Sequence, residues 1–118
     1  MNFKNKFNKF REYGDYFKGL SDSEILELLD SSVEKAGQID NLSKDAQDIY
    51  REAVGATKQS VKLGLNLKSI NVKKSKKAFS ELKAFSKTGI SDEEKQTVDL
   101  MIGLIDLFID NSSSARNW

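Results

Sequence analysis

The feature that most constrains the fold is a nearly continuous apolar run from Val98 to Ile109. In a helical projection, the residues that are not strongly hydrophobic fall on one narrow stripe, formed by Gln96, Asp99, Gly103, Asp106 and Asp110. A helix that is apolar on most of its circumference is typical of a protein interior. The sequence therefore predicts a buried C-terminal helix with the other segments packed around it.

The length and composition favour one helical domain. A chain of 118 residues can bury a single modest core, and the complete absence of proline suits long uninterrupted helices. The apolar run is shorter than the roughly 20 residues that cross a bilayer, and the N-terminal residues lack the apolar core of a secretory signal. We therefore predict a cytoplasmic protein.

Helix start signals divide the chain into segments. Ser21 with Glu24 and Ser91 with Glu94 have the spacing of capping boxes, and Ser43 is a candidate N-cap. The sequence predicts an all-α fold, a four- to five-helix bundle wrapped around the buried C-terminal helix. Residues 1–110 form its single domain and residues 111–118 a flexible C-terminal tail. Amphipathic patterns cover residues 3–19, 24–37, 42–70 and 73–88.

Two local details carry their own predictions. Residues 61–68 alternate apolar and polar side chains as a strand does, but no second strand is available for pairing. We interpret this segment as a helix that is broken or loosened between Gly64 and Asn71. Gly89 is expected to provide a left-handed cap after the helix of residues 73–88.

Charge is distributed in blocks although the net charge is only +1. Residues 21–57 are acidic, and residues 58–87 contain nine lysines against one glutamate. We define the lysine face as Lys73, Lys74, Lys76, Lys77, Lys83 and Lys87, and the acidic face as Glu24, Glu27, Asp30 and Glu34. The favoured interpretation is that the lysines are solvated and pair with the neighbouring acidic helices. The alternative is that they follow a nucleic-acid backbone electrostatically, without reading its bases.

The catalytic and metal-binding patterns in the sequence are incomplete. The chain has neither cysteine nor histidine, which removes thiol chemistry and the commonest general base and transition-metal ligand. The Ser-x-x-Lys and Lys-Thr-Gly motifs lack the Ser-Asp-Asn element that completes the serine β-lactamase pattern. Asp106 and Asp110 alone would make a weak cation site. We predict no enzyme activity, no cofactor and no metal.

A binding protein is the function that this pattern favours. We expect it to act as an inhibitor, immunity or adaptor protein by docking on a protein partner through the lysine face, the acidic face or Trp118. Nucleic-acid binding through the lysine face and self-association through an apolar face are the alternatives. A membrane surface is disfavoured because anionic lipid would repel Glu12 and Asp15 on the polar face of the N-terminal segment.

Overall fold

The computed structural model of the chain is all-helical over the residues that it describes, which are 19–64 and 68–116, with side chains described as far as residue 110. Four helices form a bundle: α1 is Asp22–Gly37, α2 is Lys44–Leu63, α3 is Val72–Ser86 and α4 is Asp92–Arg116. No strand occurs within these ranges. The N-terminal helix expected over residues 3–19 lies outside the described residues except for its last residue.

The predicted helix starts are confirmed. At α1 the Ser21 hydroxyl accepts from the Glu24 backbone N–H at 3.2 Å, and the Glu24 carboxylate accepts from the Ser21 backbone N–H at 3.1 Å. The Ser43 hydroxyl accepts from the backbone N–H of Ala46 at 3.1 Å. Ser91 and Glu94 repeat the reciprocal arrangement at α4. Each cap satisfies backbone donors that the first helical turn leaves unpaired.

The break after residue 63 lies where the sequence indicates. Gly64 adopts the left-handed conformation with φ 66° and its N–H donates to the Ser60 carbonyl. Residues 61–63 are helical, so the helix interpretation of the alternating segment holds there. The side chain of Asn71 then caps α3 by accepting from the Lys74 backbone N–H. The expected left-handed cap at Gly89 is wrong: α3 ends on Lys87 with φ −90°, and positive φ among the described residues occurs at Gly19 and Gly64.

Helix α4 contributes the largest share of the core. Val98, Met101, Leu104 and Ile105 are fully buried, and Leu100, Leu107 and Phe108 nearly so. In the predicted stripe, Gln96 is exposed and Asp99, Gly103, Asp106 and Asp110 are half-buried. Ile102 and Ile109 are half-buried as well. The helix continues to Arg116. Residues 111–116, which were predicted to belong to a flexible tail, are therefore helical. Trp118 lies outside the described residues.

The packing places α1 and α3 on the outside of the bundle. Helix α4 packs against α1, α2 and α3, and most extensively against α3. Helices α1 and α3 each pack against both α2 and α4, but they make no extensive contact with each other. This arrangement puts α1 and α3 at the two far corners, with α2 and α4 between them. No helix in the described part of the chain combines the length and the hydrophobicity that a bilayer crossing requires.

Polar contacts attach α1 to α2. The Ser32 hydroxyl donates to the Leu29 carbonyl and is therefore left to accept from the buried Tyr50 hydroxyl at 2.6 Å. Burial raises the pKa of Tyr50 above its ordinary value. The Gln47 side-chain amide donates to the carbonyls of Ala36 and Ile39 at the C-terminal end of α1. These bonds satisfy polar groups that the core would otherwise leave unpaired.

Candidate functional site

The lysine face is an exposed surface of α3. The opposite side of this helix is buried through Ser75, Ala78 and Leu82, which turns the basic side chains outward. All six lysines of the face are exposed. From Lys73 to Lys87 the face extends for about 21 Å along the helix axis at 1.5 Å per residue.

The expected pairing of these lysines with neighbouring acidic helices is wrong for the described residues. The ion pairs there join Lys58 to Asp30, at 2.5 Å, and Arg51 to Asp48, and neither includes a lysine of α3. Lys83 instead lies over the ring of Phe79, with its amine 5.0 Å from the ring centroid. For the acidic face of α1 the physical reason is the bundle geometry, because α1 and α3 make no extensive contact with each other.

Glu81 is a site residue that the sequence analysis did not single out. It is the one acidic residue in the segment 58–87, and both of its carboxylate oxygens accept hydrogen bonds from Ser43. The Ser43 backbone N–H donates to Oε2 and its hydroxyl donates to Oε1, each at 2.7 Å. The carboxylate therefore lies at the N-terminus of α2, where the helix dipole favours negative charge. No local pattern marks this contact, since the two residues are 38 positions apart.

A small hollow of about 100 Å³ lies beside this contact, at the edge of the lysine face. Lys74, Lys77 and Glu81 line it from α3, and Asp45 lines it from the first turn of α2. Two lysines and two carboxylates therefore share the lining of the hollow. Its charges are mixed, which limits the width of the cationic surface on this side of α3.

The acidic face of α1 is exposed, but half of its carboxylates serve the fold. Glu24 belongs to the capping box, and hydrogen bonds from the backbone and side chain of Ser21 lower its pKa. Asp30 pairs with Lys58 of α2. Glu27 and Glu34 form no ion pair with any residue in the described ranges and are exposed. Within the described residues, half of the acidic face is thus engaged by capping bonds or an ion pair, whereas no lysine of the lysine face forms an ion pair.

A larger hollow of about 250 Å³ lies where the C-terminal end of α1 meets the start of α4. Lys35 and Gln38 line one side, and Ser91, Glu93 and Glu94 line the other. Glu94 is already engaged by Ser91 in the capping box. Within residues 19–64 and 68–110, no group of three or more acidic side chains is arranged to hold a metal ion.

Comparison with known proteins adds no information about the role of these surfaces. No family model, curated protein or solved structure matches the chain.

Proposed function

We propose that the chain is a small non-enzymatic binding protein, of the inhibitor, immunity or adaptor type, that acts by docking on a protein partner. The observation that carries this proposal is the pair of exposed, oppositely charged faces on α1 and α3. The acidic face on α1 and the lysine face on α3 lie at opposite corners of the bundle, and both are exposed. Complementary charge steers partners together and fixes their orientation.

The proposal includes a finer architecture. In it, the segment 3–19 adds a fifth helix, the bundle wraps around α4 on all sides, and the C-terminal residues with Trp118 offer an additional anchor. Tryptophan is enriched among the residues that dominate binding energy at protein interfaces. The proposed setting is the cytoplasm, where a partner and this chain would meet in solution.

Recovery of the tagged full-length chain from its native host tests the proposal. The preparation is divided into four, at low and at high salt and with and without nuclease, and the recovered proteins are identified by mass spectrometry. We expect one protein partner in a fixed ratio to the chain after nuclease treatment. Recovery that disappears with nuclease would contradict docking on a protein.

Non-specific nucleic-acid binding through the lysine face is the second candidate. It is supported by lysines that recur along one face of α3 without an ion pair in the described chain. In this case, the wild-type chain binds single-stranded or duplex polymer at low salt, and the Lys73→Glu, Lys76→Glu, Lys83→Glu variant does not. A wild-type chain that fails to bind either polymer would exclude this candidate.

A further inference from the structure

We propose that the lysine face of α3 is the docking surface and that its occupant is an acidic polypeptide surface. This inference rests on the proposed function, since it assigns the chemistry of the partner and the helix that meets it. It also predicts that the lysine face, and not the acidic face, becomes buried in the complex.

The first argument is the missing internal counter-charge. The lysine face has six cations within 15 residues of one helix, and none forms an ion pair with a described acidic residue. Glu81, the one acid of α3, is turned toward Ser43 at the start of α2 and accepts two hydrogen bonds there. Like charges at helical spacing repel one another. An external anionic surface would relieve this repulsion while it gains attraction to every lysine.

The second argument is the contrast with the acidic face. Glu24 accepts hydrogen bonds within its capping box, and Asp30 is held by Lys58. A partner that engaged this face would compete with contacts that already stabilise α1. Among the described residues, a partner on the lysine face competes with the contact of Lys83 with the Phe79 ring and with no ion pair. A partner therefore gains more free energy by binding to the lysine face than by binding to the acidic face.

The third argument distinguishes an acidic polypeptide from a nucleic acid. Helix α3 contains no arginine, and its aromatic residues, Phe79 and Phe85, are half-buried and packed against the core. The face thus lacks the exposed rings and guanidinium groups that stack on bases. Asp45 lies at its edge beside Lys74 and Lys77, so a rigid duplex that extends past α3 meets negative charge on α2. An acidic polypeptide can place its carboxylates on the lysines and avoid that repulsion.

Three defined polymers test the inference with the full-length chain: fluorescently labelled poly-L-glutamate, poly-L-lysine and a duplex DNA of similar total charge. Binding is followed by fluorescence anisotropy from low to moderate salt. The test variant is Lys73→Glu, Lys76→Glu, Lys83→Glu. Its matched control is Lys44→Glu, Lys62→Glu, Lys95→Glu, which changes the net charge equally at three other exposed lysines. Circular dichroism verifies that both variants fold, and the Lys→Gln versions replace any that does not.

The expected result is salt-dependent binding of poly-L-glutamate that the test variant weakens at least about tenfold and the control by much less. Equal loss in both variants, or no binding by the wild type, would overturn the inference. Binding of poly-L-lysine alone would also overturn it, but would leave docking on a protein in place through the acidic face. Tighter binding of the duplex than of poly-L-glutamate would overturn both the inference and the proposed function.

Discussion

The two outer helices carry opposite charges and use them differently. On α1, Glu24 caps the helix and Asp30 bridges to α2, so half of the acidic face has a structural role. On α3, the acid Glu81 has the structural role, and the lysines around it form no ion pair with the described chain. The comparison teaches that charge density alone does not identify a binding surface. What matters is whether the fold already supplies the counter-charge.

The largest expected effect comes from a substitution in the core that α1 and α3 share. Leu104 of α4 is fully buried in the core that α4 forms with α1 and α3. Leu104→Ala should lower the free energy of unfolding by about 2–5 kcal/mol because it leaves a cavity. Urea denaturation followed by circular dichroism measures the change. The half-buried Ile109→Ala in the same helix is the control and should lose less; equal losses would show that the fully buried side of α4 contributes no more to the core than its half-buried side.

The next effect concerns the attachment of α1. Tyr50→Phe removes the hydroxyl that donates to Ser32 and should lower the free energy of unfolding by about 1 kcal/mol at neutral pH. Ser32 retains its bond to the Leu29 carbonyl, so no donor is orphaned. Urea denaturation of the two proteins measures the difference. An unchanged stability would mean that this buried bond does not help to hold α1 on α2.

The same residue predicts a pH dependence. Burial raises the pKa of Tyr50, whereas an unfolded tyrosine ionises near pH 10, roughly its reference pKa. The folded state therefore favours the neutral phenol, and this contribution to stability is complete below about pH 10 and is lost as the pH rises further. The stability advantage of the wild type over Tyr50→Phe should shrink above that pH. A difference that stays constant to high pH would contradict the assignment.

A smaller effect concerns the attachment of α3. Glu81→Gln removes the negative charge at the N-terminus of α2 and one of the two acceptors for Ser43. We expect a loss of about 0.5–1 kcal/mol, measured by thermal or urea unfolding. Glu52→Gln makes the same chemical change at an exposed residue of α2 and is the control. If both substitutions have the same effect, Glu81 has no special structural role.

Short-range signals explain how much of the fold the sequence could predict. The capping boxes at Ser21 and Ser91 and the break at Gly64 depend on residues within one helical turn, and all three are present. The apolar run of α4 indicated burial because it covers most of the helix circumference. The prediction of a left-handed cap at Gly89 is wrong because α3 ends without a left-handed residue. The backbone N–H groups of Lys87 and Thr88 donate there to the carbonyls of Ala84 and Phe85.

The remaining features depend on tertiary packing. The bond from Tyr50 to Ser32 spans 18 positions and the bond from Ser43 to Glu81 spans 38, so neither leaves a local pattern. The lysine face and the acidic face were both identified from the sequence as candidate surfaces. Their failure to pair with each other follows from the placement of α1 and α3 on opposite sides of α2 and α4, which charge blocks alone cannot show.

The central claim is that the lysine face has no role in holding the fold and is therefore free to bind. The most direct test is the free energy of unfolding of the Lys73→Glu, Lys76→Glu, Lys83→Glu variant, measured by urea denaturation beside the wild type. We predict a change within about 1 kcal/mol, because these exposed lysines form no ion pair with the described chain and Lys83 loses only its contact with the Phe79 ring. A loss of about 2 kcal/mol or more, in the range of core truncations, would contradict the claim.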